Sequence, residues 1–159
     1  RLFGANGTRE IAAEDFFIGP RQTVLAAGEL LLEVVIPRQP AGGGASYERF
    51  ARRRGAALAI ASVASRIVLT AGRITSARIV LGAVAPVPLL VPAAAALLEG
   101  EDPTLALFAR AAAACVDAAL PITDIRGTAA FRRDLVDVLA RRSLVEATAR
   151  ARRAAGAAR

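Results

Sequence analysis

Two alternating apolar stretches flank Ala71 and Gly72, and they limit the fold more strongly than any other feature of the sequence. Such alternation is typical of a β-strand that buries one face, because successive side chains point to opposite sides of a sheet. Glycine adopts positive φ without steric cost, so the sequence predicts an antiparallel hairpin with its tight turn at these two residues. The side chains expected on the covered face are Ala61, Val63, Ser65, Ile67, Leu69, Ala77, Ile79, Leu81 and Ala83, and those on the other face of the second strand are Ile74, Ser76, Arg78 and Val80.

Two further segments are predicted to extend this hairpin into a sheet of three to four strands. Residues 47–52 alternate weakly in hydropathy. Residues 30–36 form a run of leucine and β-branched side chains that ends at Pro37, which cannot donate a ladder hydrogen bond. Residues 40–44 contain three consecutive glycines, and we expect a flexible surface loop there. The predicted sheet is an antiparallel meander with one face free to be covered.

Helix signals dominate the carboxyl-terminal half. Residues 92–98 predict a short helix with proline at its first position, and Asp102 is expected to cap the next helix, with Pro103 following it. A last helix is predicted over residues 128–150 with Thr128 as its N-cap. The apolar residues expected to face the sheet are Leu105, Phe108, Ala112, Val116 and Ala119 in the middle helix, and Phe131, Leu135, Val138, Leu139, Val145 and Ala149 in the last. Strands followed by helices predict an α+β fold, in which about three helices cover one face of the antiparallel sheet.

The residue types that the sequence lacks exclude several kinds of site. It contains no histidine and a single cysteine, Cys115, so this chain cannot form a Cys/His zinc site, a four-cysteine iron–sulfur site or a Ser-His triad. Cys115 lies at helical spacing among alanines, where a free thiol packs as a small apolar side chain. One cysteine also fits a protein of the reducing cytoplasm. We therefore expect neither a metal site nor a catalytic residue in this chain.

Charge and hydropathy favour a soluble protein that binds neither membrane nor nucleic acid. Residues 79–98 carry no charged side chain, but the prolines among them would break a membrane-spanning helix. The net charge of +7 reflects arginine alone, because the sequence has no lysine. The arginine clusters at residues 52–54, 132–133 and 141–142 lie on three different predicted elements, with few aromatic residues nearby. We interpret them as a solvated or ion-paired surface, since a nucleic-acid groove needs charge gathered on one face with stacking aromatics.

Residues 124–127, which read Asp-Ile-Arg-Gly, lie between the two longest predicted helices. Asp124 and Arg126 are two positions apart and can close a loop through a charge-assisted hydrogen bond, which would suit a functional loop. The alternative is an interhelical turn, in which Gly127 permits positive φ and Thr128 caps the following helix. Turn and capping chemistry accounts for every position, so we interpret the segment as structural.

Nine short motifs follow one another along nearly the whole chain. The most diagnostic is Asp-Ile-Arg-Gly-Thr-Ala-Ala-Phe-Arg-Arg at residues 124–133. The others lie at residues 8–11, 15–19, 28–31, 35–37, 59–64, 74–82, 84–88 and 97–100. In sequence and order they resemble the flavin-binding (medium) subunits of molybdenum hydroxylases, a family that includes the flavoprotein of carbon monoxide dehydrogenase and the flavin region of xanthine dehydrogenase.

This resemblance implies a role in electron transfer. In such complexes a large subunit with a molybdenum cofactor hydroxylates the substrate, [2Fe–2S] clusters in a small subunit relay the electrons, and FAD in the medium subunit passes them to an acceptor. This chain would then be part of an FAD-dependent oxidoreductase whose FAD is held mainly by an upstream domain. The sequence begins at Arg1 and contains no methionine, which fits the expectation of an upstream segment. The alternative is a stand-alone interaction or scaffold domain that keeps the fold without redox activity.

The resemblance also implies a division of the chain and a place for the flavin. Residues 1–28 would be the tail of the FAD-binding domain and a linker, residues 29–150 the flavoprotein C-terminal α+β domain, and residues 151–159 a frayed basic tail. The residues carried over as flavin contacts are Ile60, Ala61 and Ser62. The chain departs from the family at Leu58, where related proteins often have an acidic residue.

Overall fold

The computed structural model describes residues 1–53 and 58–157, and these fall into two compact units, Arg1–Arg38 and Gln39–Arg159. The break between the units lies later along the chain than residue 28, where the sequence analysis placed a domain boundary. The strands of each unit pair only with strands of the same unit. Part of the predicted arginine cluster at residues 52–54, namely Arg54, lies outside the described residues.

The first unit consists of short strands and one helical turn. Its elements are β1 (Leu2–Gly4), β2 (Gly7–Arg9), α1 (Ala13–Phe16), β3 (Phe17–Gly19), β4 (Gln22–Thr23) and β5 (Leu30–Leu31). Strand β1 pairs with both β2 and β5, while β3 pairs with β4, and all of these pairs are antiparallel. The prediction of a strand over residues 30–36 in the main sheet is therefore wrong. Only Leu30–Leu31 is a strand, and it pairs with β1 of the first unit. Its apolar side chains are largely exposed, so their hydrophobicity does not indicate a buried strand.

The second unit is built on a four-stranded antiparallel sheet. Its strands are β6 (Gly43–Phe50), β7 (Ala61–Thr70), β8 (Arg73–Gly82) and β9 (Leu89–Leu90), in the spatial order β6-β7-β8-β9. The predicted hairpin is confirmed as β7–β8, with Ala71 at φ 50° and Gly72 at φ 85° in its turn. The number of strands also agrees with the prediction, but the fourth strand is β9 rather than the segment after residue 29.

A β-bulge in β8 changes the face on which Ile74 lies. Val68 pairs with Ser76 while Leu69 pairs with Ile74, so Thr75 is an extra residue without an opposite partner. One extra residue reverses the alternation on its side of the bulge. Ile74 is consequently buried with Ala77, contrary to the prediction that it faces outward with Ser76 and Arg78.

Glycine at the start of β6 allows a helix to cross the strand at close range. A Cβ atom on Gly44 would collide with backbone atoms of Ala147 and Ala151. Gly43 and Gly44 are buried within β6, so the flexible surface loop predicted over residues 40–44 is wrong at these positions. Beside this crossing, Arg150 Nη1 donates a hydrogen bond of 2.8 Å to the carbonyl oxygen of Ala45.

Three helices cover the inner face of the sheet, which confirms the predicted α+β architecture. They are α2 (Pro92–Leu98), α3 (Leu105–Ala118) and α4 (Ala129–Ala157). Thr128 caps α4 as predicted, since its Oγ1 accepts a hydrogen bond of 3.1 Å from the Phe131 amide. The cap of α3 is Thr104, whose Oγ1 accepts from Leu107 N at 3.2 Å, and not Asp102. Asp102 instead lies exposed, 3.5 Å from the Arg73 guanidinium.

The core lies between the sheet and the helices. The helix residues that it buries differ in part from those predicted to face the sheet. Leu105 is exposed, and Phe131, Val138 and Val145 remain about two-fifths exposed. The buried residues of α3 are Leu107, Phe108, Ala111, Ala112 and Cys115, and those of α4 are Arg132, Val136, Leu139, Ala140, Ser143, Leu144, Ala147, Thr148 and Ala151. The small side chains of Ala147 and Ala151 on this face let α4 lie close to β6 at Gly44. Because Ala151 is part of this contact, α4 continues through residues 151–157, where the sequence analysis expected a frayed tail.

Candidate functional site

A buried arginine joins three segments at one end of the sheet. Arg132, in the first turn of α4, is only 3% exposed. Its Nη1 donates to the carbonyl oxygens of Ile60 at 2.8 Å and Ala83 at 3.0 Å, and its Nη2 donates to Asp124 Oδ1 at 2.7 Å. Ile60 directly precedes β7, and Ala83 directly follows β8 with φ 62°, a conformation uncommon for a residue other than glycine. Arg132 therefore connects the residue before β7 and the residue after β8 to Asp124, which lies in the segment before α4.

Asp124 is the acceptor at the centre of this network. Its Oδ1 accepts a hydrogen bond of 2.8 Å from the Arg126 amide, and its Oδ2 accepts from Arg126 Nε at 3.0 Å and Nη2 at 2.8 Å. The Arg126 amide, together with the guanidinium groups of Arg132 and Arg126, lowers the pKa of Asp124 from 3.8 to about 2. The contact that the spacing of Asp124 and Arg126 allows is present, and the carboxylate stays ionised at neutral pH. Gly127, in contrast, does not adopt the positive φ expected of it in the turn.

The segment 124–127 is a closed turn with an apolar residue at its tip. Asp124 and Gly127 exchange two backbone hydrogen bonds, each of 3.1 Å. A Cβ atom on Gly127 would lie 3.1 Å from the Phe131 ring, which leaves little room for a side chain at this position. Ile125 is 93% exposed, and its carbonyl oxygen lies 3.5 Å from the donor Arg52 Nη1.

The three residues carried over as flavin contacts lie at this same end of the sheet. Ile60, Ala61 and Ser62 are all buried within the chain, and the amide of Ile60 donates to the carbonyl oxygen of Phe50 at 2.8 Å. Their side chains therefore form the wall of this end rather than its outer surface. The exposed apolar side chains at this end are those of Phe50, Ile125 and Phe131, a set that we call the sheet-end surface.

Two of these side chains pack together as aromatic rings. The centroids of Phe50 and Phe131 lie 5.9 Å apart with an interplanar angle of 84°, an edge-to-face arrangement. Each ring is about two-fifths exposed, so an aromatic face remains accessible beside the Ile60 segment. The sheet-end surface can therefore contact a flat apolar group or another protein, while the Arg132 network holds the backbone behind it.

Sequence reasoning missed Arg132 because it grouped this residue with Arg133 as a solvated or ion-paired surface cluster. The guanidinium is ion-paired, but it lies in the interior, and two of its three hydrogen bonds go to the carbonyl oxygens of Ile60 and Ala83. The available signal is helical spacing, since Arg132 is four residues before Val136 and eight before Ala140, both on the buried face. An arginine in phase with core residues indicates a buried network rather than a surface charge.

Neither Asp124 nor Cys115 has the properties of a catalytic acid, base or nucleophile at neutral pH. Asp124 is ionised and its two oxygens are occupied by donors. Burial raises the pKa of the Cys115 thiol to about 12, so the thiol stays protonated and unreactive. Within residues 1–53 and 58–157, no group of three or more Cys, Asp or Glu side chains is arranged to hold a metal ion. The Arg132 network therefore holds the backbone of this end of the sheet in place and supplies no reactive group.

Two open clefts lie away from the sheet-end surface. One, of about 590 Å³ on the outer face of the sheet, is lined by residues that include Tyr47, Arg66 and Arg78. The other, of about 420 Å³, lies between α3 and α4 and includes Asp117, Arg133 and Asp134 in its lining. None of the helices in the part of the chain that the structure covers is long and apolar enough to cross a membrane.

Comparison with known proteins identifies relatives of the whole chain. It is 39% identical over 144 residues to the nicotine 6-hydroxylase medium subunit of Paenarthrobacter nicotinovorans, covering 91% of this chain and 50% of that protein. It is 34% identical over 151 residues to the carbon monoxide dehydrogenase medium chain of Afipia carboxidovorans, covering 95% of this chain and 52% of that protein. The chain thus spans about half the length of these relatives.

The fold has a close counterpart among solved structures. The carbon monoxide dehydrogenase of Hydrogenophaga pseudoflava that lacks the Mo-pyranopterin moiety of the molybdenum cofactor superposes with a TM-score of 0.89 and 34% sequence identity. The match covers 94% of this chain and 52% of that one. A family model described as the CO dehydrogenase flavoprotein C-terminal domain matches residues 45–147, which include most of the sheet, helices α2 and α3, most of α4 and the Arg132 network. The chain therefore belongs to the CO dehydrogenase flavoprotein C-terminal domain family.

Proposed function

We propose that this chain is part of an FAD-containing subunit of a molybdenum hydroxylase complex, in which it accepts electrons from iron–sulfur clusters. The observation that carries the proposal is the family match over residues 45–147, together with medium subunits as relatives over more than nine-tenths of the chain. The proposed partners are a large molybdenum subunit and a small iron–sulfur subunit, in the cytoplasm. The molybdenum cofactor and the [2Fe–2S] clusters belong to these partners in the proposal.

The residues at the end of the sheet suit a supporting role next to FAD. An isoalloxazine ring is flat and largely apolar, and the exposed parts of Phe50 and Phe131 offer a matching apolar surface. In the proposal Ile60, Ala61 and Ser62 form the wall behind this surface, and FAD itself is held mainly by a part of the protein outside this chain. When bound, FAD supplies the electron-accepting chemistry, while the protein supplies orientation and electrostatics. Arg132 contributes by keeping the Ile60 backbone in one position.

The substrate is not set by this domain in our proposal. The two relatives named above have different substrates in their names, nicotine and carbon monoxide, yet both align with this chain over nearly its whole length. We expect a domain that is shared by enzymes with different substrates to serve a step that these enzymes have in common. Electron transfer through the flavin is such a step, so we assign to this chain the support of the flavin and of subunit packing.

The test is to express the full-length protein and record its visible absorption spectrum. We expect flavin absorption bands and close to one FAD released per chain on denaturation. A pure, folded protein that never retains a flavin would contradict the proposal and favour a scaffold domain without redox activity. Co-expression with the large and small subunits should then give a complex whose flavin is reduced on addition of substrate.

A further inference from the structure

The tip of the turn at residues 124–127 is exposed to an unusual degree for an apolar side chain. Among the large apolar residues that the structure describes, Ile125 has the highest exposure, at 93%. Apolar side chains grouped at a protein surface often mark an interaction site. Ile125 belongs to the sheet-end surface, where the rings of Phe50 and Phe131 are also partly exposed.

The turn is held rigidly although its tip is exposed. Two backbone hydrogen bonds close it, and the Asp124 carboxylate accepts three further bonds from Arg126. Arg132 then connects Asp124 to the backbone of Ile60, at the start of β7. A backbone that is already fixed loses little conformational entropy on binding, so the turn presents Ile125 from a pre-organised position.

The charges around the turn indicate the kind of surface that would complement it. Three arginines, Arg52, Arg126 and Arg132, contact the turn, whereas Asp124 is the one carboxylate that the described contacts place there. The local balance is therefore positive, with the exposed charge of Arg52 and Arg126 beside Ile125. A complementary surface has an apolar pocket for Ile125 and carboxylates around its rim.

We propose that Ile125 and the turn around it dock into an apolar, acid-rimmed pocket of the small iron–sulfur subunit. This inference rests on the proposed function, because it takes the Ile60 segment as part of the wall beside the flavin. An electron-donating protein has to bind close to the flavin that it reduces. The turn meets this condition, since a single side chain, Arg132, hydrogen-bonds to both Asp124 and Ile60.

The experiment compares two substitutions in the full-length, flavin-containing protein. Ile125→Ser removes the exposed apolar side chain at the turn, and Leu105→Ser is the matched control, because Leu105 is 74% exposed at the start of α3. The affinity for the purified iron–sulfur subunit of the same complex is measured by isothermal titration calorimetry at low and moderate salt. We expect Ile125→Ser to weaken binding by about tenfold or more, as for a central interface residue, and Leu105→Ser to change it by less than about twofold. The melting temperature should match the wild type in both variants, and the flavin content of each is measured in parallel.

A second variant tests the role of rigidity. Asp124→Asn retains Ile125 but weakens the charge-assisted bonds that hold the turn, so we expect weaker binding with the apolar surface intact. Unchanged affinity of the Ile125→Ser variant would overturn the docking proposal. Loss of flavin from Ile125→Ser with full affinity for the iron–sulfur subunit would also overturn it, since the turn would then pack against the flavin-binding part of its own chain. A wild-type protein without flavin would instead contradict the proposed function, which is a separate readout.

Discussion

Replacing Arg132 with methionine would remove the guanidinium that joins α4 to the end of the sheet. The side chain is 3% exposed and donates three hydrogen bonds, two of them to carbonyl oxygens of the main chain. Each carbonyl that loses its donor costs about 1 kcal/mol, and loss of the charged contact costs about 1.5–3 kcal/mol. We therefore expect the free energy of unfolding to fall by about 3–5 kcal/mol.

The measurement is urea unfolding of the purified protein, followed by far-UV circular dichroism. Arg141→Met is the matched control, because Arg141 forms an exposed i,i+4 pair with Asp137 at 2.8 Å and such pairs contribute little to stability. Arg132→Lys should give an intermediate loss, since an ammonium group keeps the charge but lacks the planar fork that reaches three acceptors. If Arg132→Met destabilises the protein no more than Arg141→Met does, the network does not stabilise the fold and our reasoning is refuted.

Three further predictions concern other parts of the chain. Gly44→Ala should destabilise the protein by about 1–3 kcal/mol, because its Cβ would collide with the backbone of α4; Gly156→Ala, where nothing lies within 4 Å, should leave the melting temperature unchanged or slightly raised. The folded-state pKa of Asp124 is lowered from 3.8 to about 2, so its contribution to stability is present above pH 4 and is lost as the pH falls through about 2. Asp124→Asn should therefore be less stable than the wild type at neutral pH and approach it at the acid end of a stability–pH profile; parallel profiles would contradict this. Cys115, whose pKa burial raises to about 12, should react with a thiol reagent at mildly alkaline pH only after denaturation, and fast labelling of the native protein would refute its placement in the core.

The parts of the fold that local chemistry determines could be predicted from the sequence. The β7–β8 hairpin depends on alternation and on the turn at Ala71 and Gly72, and both signals lie within a short stretch of chain. Thr128 likewise caps α4 through an amide only three residues away. The family resemblance was carried by ordered motifs, and the match over residues 45–147 agrees with it. Local spacing also showed that Asp124 and Arg126 can make the contact that the structure contains.

The features that could not be predicted depend on contacts between distant segments. The glycines before Ala45 have the composition of a loop, but Gly44 is needed because Ala147 and Ala151 cross the strand there. The bulge that turns Ile74 inward arises from pairing with β7, which the alternation in β8 does not encode. The Arg132 network connects residues up to 72 positions apart, and no pattern within α4 specifies which carbonyls its arginine meets.

The hydrogen bond from Arg150 to Ala45 has a consequence for how this sheet meets other chains. Strand β6 is the outermost strand, and Leu69 N donates to Gly42 O, so antiparallel alternation directs the Ala45 carbonyl away from β7. Such a free acceptor is where a foreign strand begins to add to a sheet and where amyloid-like growth can start. The Arg150 guanidinium already occupies it at 2.8 Å, held in place by Glu146 one helical turn earlier. The long final helix thus removes one of the acceptors that a foreign strand would need at this margin of the sheet.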